Sequence, residues 1–283
     1  MPKENEIFMK KFFVLAGILL AIQVSGQTVS QQVGLKKGDK FKSVNKMEIV
    51  ITQEVMGQVM EVFVNSNTTN SVDIKENNSN GIKLTSSLTH FKMDVDAMGQ
   101  EINMDSENQD QGGEFSKLLN VPNDYSLDKS GKITEVKKNT PDIEAGGMGD
   151  MGSMGEVEKV GEVFSLIANV PAKGVKVGDS WTDSTEADGV KSVNRYVLKE
   201  VKDGIGTVEF NTDLKMSRQM QQQGMDMFMN LSGKGTGQYS FDVKTGIIRS
   251  KTLNTNASGT VDVMGQQIPM SIETKLLNEN QKN

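Results

Sequence analysis

Val208-Glu209-Phe210-Asn211-Thr212-Asp213-Leu214-Lys215-Met216 decides the fold class. Val208, Phe210, Leu214 and Met216 share one parity, and Glu209, Asn211, Asp213 and Lys215 share the other. A helix would scatter the apolar residues around its circumference, whereas an antiparallel strand with one face in the core sorts them cleanly. The same alternation returns in Met47, Ile49 and Ile51, and in Ile268, Met270, Ile272 and Leu276. In the last run Pro269 falls on the opposite face, which predicts an edge strand, because proline cannot donate to a ladder. Asn80-Gly81, Ser130-Gly131 and Thr245-Gly246 each separate two strand-like runs and read as hairpin turns.

Three further turns carry one phrase, Met-Gly-Gln, at Met56-Gly57-Gln58, Met98-Gly99-Gln100 and Met264-Gly265-Gln266. Each stands where one alternating run stops and the next begins. Glycine supplies the positive φ that a tight hairpin needs, the methionine before it is placed to cap the hydrophobic face, and the glutamine tolerates solvent. Helical signals are few. Phe115–Pro122 and Phe164–Pro171 read as short helices stopped ahead of proline, and Val157, Val160, Phe164 and Ile167 recur at spacings of three and four. The expected fold is therefore mainly β with short helices (α+β), built on a large antiparallel curved sheet or half-barrel.

The chain of 283 residues has room for one large or two small cores, and with aromatic residues at only 5% the core must rest on Val, Ile, Leu and Met. A formal charge of −6 and scattered basic residues exclude a general affinity for nucleic acid. Lys10-Lys11, the apolar run Phe12–Ile22 and the small residues of Val24-Ser25-Gly26 have the form of a cleavable signal peptide, 1–26. No cysteine follows it, so a lipid anchor is excluded, and no other run is long enough to span a bilayer. The expectation is an exported protein, periplasmic or secreted. After the signal come a first β-unit (27–143), a Gly/Met-rich linker or loop (144–156) whose glycines disfavour regular structure, and a helix with a second β-unit (157–283).

Three matches in the same order suggest that the β-units are related. Gly34–Phe41 matches Gly174–Trp181, Met60–Asn65 matches Met225–Asn230, and Tyr125–Asp128 matches Tyr239–Asp242. Reuse of turn-and-strand phrases, common in β-proteins, explains the same matches.

Few residues suggest chemistry. Methionine is a soft ligand, so Met148, Met151 and Met154, or the group Met216, Met220, Met225, Met227 and Met229, are conceivable Cu(I) ligands. Against this, Met227 and Met229 match Val62 and Val64, and methionine fills apolar volume as valine does. Asp39 and Asp179, in the two Lys-x-Gly-Asp-x-aromatic boxes, could serve a two-carboxylate hydrolase only if they converge; aspartate at a turn is the commoner role. Trp181 reads as a core anchor. His90, the sole histidine, follows Ile82, Leu84 and Leu88 in strand phase and reads as structural or partly exposed. Ser232–Gly237 is glycine-rich but lacks the spacing of a phosphate loop. No catalytic, cofactor-binding or metal-ligating residue is assigned.

Taken with the signal peptide, Val175–Trp181, Leu35–Phe41 and the Val-Met-Gly-Gln hairpin resemble an uncharacterised family of exported, β-rich proteins of Bacteroidetes type, a domain of unknown function. That resemblance implies no site residues. A looser analogy of fold runs to the half-barrels of periplasmic lipoprotein carriers. The leading expectation is a non-enzymatic exported protein that binds an apolar or amphiphilic ligand, or a partner protein, along one face of its sheet. The alternatives are a carboxylate-based hydrolase and a Met-dependent Cu(I)-binding protein.

Overall fold

The computed structural model describes residues 28–55, 57–108, 113–141, 158–187, 189–222 and 225–283. The expected signal peptide and the methionines at 148, 151 and 154 lie outside them. The described chain forms twelve strands: β1 Lys40–Val55, β2 Gln58–Asn78, β3 Gly81–Ala97, β4 Gln100–Asp105, β5 Asn123–Leu127, β6 Ile133–Lys137, β7 Ser180–Ala187, β8 Val190–Lys202, β9 Ile205–Gln222, β10 Met225–Asp242, β11 Ile248–Val263 and β12 Gln266–Lys282. All belong to one open, curved antiparallel sheet, in the order β6-β5-β3-β2-β1-β12-β11-β10-β9-β8-β7, with β4 also paired to β3. The predicted sheet is present, and a single 3-10 turn at Gly113–Leu118 stands for the first short helix.

The second predicted helix does not form. Backbone groups of the segment around Val163 bond instead to the turn before β6: Ile133 N–H donates to Glu162 O at 2.8 Å and Phe164 N–H to Gly131 O at 3.0 Å. Gly161 has φ 97°, outside any helix, and Val160 is exposed, so the three-and-four spacing never becomes a buried stripe. Phe164 is buried against Tyr125, with ring centroids 5.4 Å apart. Pro269 is also placed differently. It lies in β12, between β1 and β11, but the pairing of β12 to β1 ends at Gln53–Met270, one residue short of it. The proline thus stands where the ladder stops, and no edge strand is needed.

The strands have two ends. At the proximal end, where β1, β3, β7, β9 and β11 begin, residues 28–39 and 158–179 cross one face of the sheet. Val29 bridges Val175, Lys132 bridges Val163 and Ile167 bridges Ile247. Two clusters form beneath them. Phe41, Ile74, Leu84, Tyr125 and Leu127 pack with Leu35 and Phe164. Tyr196, Val208, Phe210, Tyr239 and Phe241 pack with Val29, Ala168 and Val175. Trp181 stacks on Tyr196 at 5.4 Å, and its indole N–H donates to Asn169 O at 3.1 Å, as befits an anchor.

Two of the three sequence matches fall on matching devices. Lys36 N–H donates to the Asp39 carboxylate (3.0 Å) and Lys176 N–H to that of Asp179 (2.8 Å); Gly38 then donates to Ile74 O and Gly178 to Leu198 O, both at 2.8 Å. Asp128 and Asp242 each accept backbone N–H groups inside the turn that follows β5 and β10. The third match does not correspond. Met60–Asn65 belongs to β2, the strand next after β1, whereas Met225–Asn230 belongs to β10, the third strand after β7.

Candidate functional site

Opposite the plugged end, the distal end carries the Met-Gly-Gln turns. Alternation along each strand delivers apolar side chains to the same inner face that the crossing segments cover proximally. Register aligns them: Ile51 lies opposite Val62 and Ile272, Val64 opposite Val95, Ile272 opposite Ala257, Val261 opposite Met229, and Leu231 opposite Met216. Ile51, Met229, Leu231, Val261 and Met270 are buried, while Ile49, Val62, Leu214, Met216, Met227, Val263 and Ile272 are half-buried around them. Met93 and Val95 carry the stripe on through Val64 to Met104 and Phe115. Ile102 on β4 remains 42% exposed at its border. The apolar stripe thus spans from β9 to β4 without interruption.

A neutral polar band separates this stripe from the proximal core on β1, β2 and β12. Asn278 Nδ2 donates to Ser43 Oγ at 2.9 Å and to Asn45 Oδ1 at 2.8 Å, and Asn280 Nδ2 donates to Asn278 Oδ1 at 2.8 Å. Thr68, opposite Asn45, is buried beside them. On β10 the change from one zone to the other falls at Gly233, Gly235 and Gly237. Their inner faces are filled by neighbours: a Cβ on Gly237 would come within 2.3 Å of Phe210 Cζ, and one on Gly235 within 2.6 Å of Thr212 Cγ2. This is the interior of a regularly paired strand rather than a phosphate loop.

The other sequence candidates separate. Asp39 precedes β1 and Asp179 precedes β7, five intervening strands away in the sheet, so the two carboxylates do not converge. Asp39 instead bonds Lys282 Nζ at 2.7 Å. Met229 lies in the packed stripe next to Val261. Met98 and Met264 cap nothing: they are 72% and 82% exposed, with φ of 54° and 55°. A two-residue hairpin turn of this kind needs positive φ at both central positions, so methionine is drawn into the turn along with the glycine.

His90 is not on the face that its strand phase predicts. A bulge opens between Thr69/Asn70 and the facing residues of β3: Leu88 pairs with Asn70, but His90 pairs with Thr69, leaving Thr89 as the extra residue. The bulge hands the inner position to Phe91, which is fully buried, and moves His90 to the outer face. There its Nε2 lies 3.9 Å from Asp105 Oδ1 and 3.7 Å from Glu107 Oε1. Lys92 Nζ stands 3.8 Å from Asp105 Oδ2. The cluster borders a groove of about 580 Å³ whose walls include Lys42, Asn67, Ser71 and Thr89. Nothing in the sequence pattern announces this grouping, because a one-residue bulge leaves no composition signal.

A family of unknown function (DUF6263) matches residues 153–248 of the chain. None of the curated proteins matches it in sequence. Among solved structures, one reported as "Lipid-protein interactions in lipovitellin" superposes over 87% of this chain and 26% of its own, with a TM-score of 0.50 and 12% identity. The chain therefore spans about a quarter of that molecule, and the likeness is one of fold. An outer membrane channel from Pseudomonas putida F1 aligns over 89% of this chain and 98% of its own at 7% identity, with a TM-score of 0.27. The β domain of the Bordetella autotransporter BrkA aligns over 86% and 99% at 6% identity, with a TM-score of 0.25. Among the described residues, no helix is long and apolar enough to cross a membrane.

Proposed function

We propose that the protein is exported and binds an apolar or amphiphilic molecule, such as a long acyl chain, along the distal inner face of its sheet. The observation that carries this reading is the unbroken apolar stripe from β9 to β4, much of it only half-buried in an open sheet. Monomeric proteins rarely leave so wide an apolar surface without a use for it. Met93, Met104, Met216, Met227, Met229 and Met270 all lie in the stripe, and unbranched thioether side chains adapt to ligands of varied shape. The polar band of Ser43, Asn45, Asn278 and Asn280 offers hydrogen bonds to a polar head group at one end of that surface. The likeness of fold to lipovitellin, whose structure was described for its lipid interactions, supports the same reading.

Titration with a fluorescent long-chain fatty acid tests it. The pair Ile49→Glu and Leu214→Glu places charge on half-buried positions of the inner face and should weaken binding about tenfold or more, since each buried methylene of ligand contributes about 0.8 kcal/mol. Phe63→Glu and Phe228→Glu, on exposed outer positions, should leave binding unchanged. Saturable binding that is lost only in the outer pair, or no binding at all, refutes the proposal. Export is tested separately, by N-terminal sequencing of the protein recovered outside the cytoplasm, which should begin at Gln27.

A further inference from the structure

We propose that His90, Asp105 and Glu107 form a site for a first-row divalent cation, such as Zn2+, on the outer face of the sheet. These three residues are the one grouping among the described residues in which imidazole and carboxylate donors all lie within 4.8 Å of one another. The separations of 3.9 Å and 3.7 Å from Nε2 are too long for hydrogen bonds, so the imidazole nitrogen faces both carboxylates at ion-pair distance without a hydrogen bond to either. A tetrahedral ion with bonds of about 2.0–2.1 Å holds its donors about 3.3 Å apart, so each imidazole–carboxylate separation must shorten by about half an ångström, and the two carboxylate oxygens, within 4.8 Å of each other, by up to about 1.5 Å. One imidazole with two carboxylates suits Zn2+, Mn2+ or Fe2+ and not the soft Cu(I).

The backbone prepares the site. The Thr89 bulge brings the histidine to this face, and Thr89 Oγ1 fixes the bulge by donating to Thr69 O at 3.0 Å. The two acids flank Ser106, which is tied to β3 from both sides: Ser106 N–H donates to Phe91 O at 2.9 Å, and Phe91 N–H donates to Ser106 Oγ at 3.0 Å. Glu107 N–H donates to Asp105 Oδ1 at 2.9 Å, which orients that carboxylate and leaves it a second lone pair. Both acids therefore stand on a pinned turn opposite a pinned bulge, with the Asp105 carboxylate oriented and the Glu107 side chain 82% exposed beside it. The groove lined by His90 and Glu107 gives an ion and its remaining water ligands a way in. Lys92 opposes binding by pairing with the outer oxygen of Asp105.

The experiment uses the untagged full chain, in which His90 is the sole histidine and cysteine is absent. Calorimetric titration with Zn2+ should show one equivalent bound. Asp105→Asn, Glu107→Gln and His90→Gln should each weaken binding, the last by at least about a hundredfold, the loss that removing even a supporting partner of a metal ligand can reach. Lys92→Gln should tighten it about twofold to fivefold, the size of an exposed ion pair. Circular dichroism confirms that each variant keeps its sheet. Cu2+ used as a spin probe should show hyperfine coupling from one imidazole nitrogen, absent in His90→Gln. Zn2+ binding that survives His90→Gln, absence of binding to the parent chain, or a Cu2+ spectrum unchanged by that substitution overturns the proposal.

Discussion

Met264 is held at φ 55° with its side chain 82% exposed, so it bears the strain of a left-handed backbone and returns no packing. Asparagine tolerates that conformation far better, and Asn-Gly is the preferred pair for such a turn. Met264→Asn is therefore expected to raise stability by about 0.5–1 kcal/mol, read as an upward shift in the urea midpoint with an unchanged slope. The neighbouring Asp262 has the opposite sign: its carboxylate accepts Gly265 N–H at 2.8 Å, as Asp96 accepts Gly99 N–H at 3.1 Å. At the proximal turns, burial works to raise the carboxyl of Asp242. The backbone N–H groups of Thr245 and Lys244, the Thr245 side chain and Arg249 outweigh it and hold the group below its ordinary value of 3.8. Asp39 and Asp128 are lowered by similar bonds against the same burial. A depressed folded pKa means that the stabilisation is fully present above the unfolded value and disappears as pH falls through the folded one. Proximal amides should thus lose protection first as the pH drops below about 4, measured by hydrogen exchange. Asp242→Asn keeps an acceptor oxygen but does not titrate, so it should flatten the acid limb of the stability curve; an acid limb as steep as the parent's would show that the turn carboxylate does not drive it.

Strand β10 shows at the level of an element how glycine shapes the sheet. Gly233, Gly235 and Gly237 share the inner parity, and the rings and methyl groups of the neighbouring strands occupy the space their side chains would need. Gly237→Ala should cost about 1–3 kcal/mol through overpacking against Phe210, whereas Thr236→Ala, on the exposed side of the same strand, should cost far less. Equal effects of the two in urea unfolding would mean that the inner face yields freely there. The alternation around Val208–Met216 was legible in the sequence because period two is written by the side chains themselves, and the glycine turns were legible because positive φ demands glycine. Other features lay outside that code. The Thr89 bulge shifts the phase of β3 by one residue with no change in composition, so His90, Asp105 and Glu107 could not be grouped from sequence. The apparent helix before Phe164 failed because apolar spacing does not reveal that the carbonyl of Gly131 and the N–H of Ile133 bond this segment instead. The methionines of the turns depart from the expected capping role for a related reason: chain order gives their proximity to the apolar face but not the backbone angle that turns them away.

At the scale of the molecule, β12 is the seam. The strands on one side of it, β6-β5-β3-β2-β1, come from the first part of the chain, and those on the other, β11-β10-β9-β8-β7, from the second. The seam pairs with β1 from Gln53–Met270 to Phe41–Lys282 and with β11 from Val263–Gln266 to Ser250–Glu279. Its inner side supplies Met270 and Ile272 to the distal stripe and Asn278 to the polar band, so both zones of the proposed ligand surface are continuous only through this strand. Because β1 meets β12 across nearly the whole described chain, the loop closure that joins the two halves is long-range, and its entropy must be met before any pairing rewards it. Removing residues 266–283 should therefore do more than subtract one strand. It uncovers two long edges, those of β1 and β11, and unpaired edges of that length recruit other chains. The truncated protein is expected to unfold without a single cooperative transition, where the parent should show one, and to aggregate. A synthetic peptide of residues 266–283 added during refolding should restore monomer and fatty-acid binding together, since one strand closes both the ladder and the stripe. A truncated chain that stays monomeric and unfolds at the parental temperature would show that the two halves stand independently, and that β12 lies on the sheet without joining it.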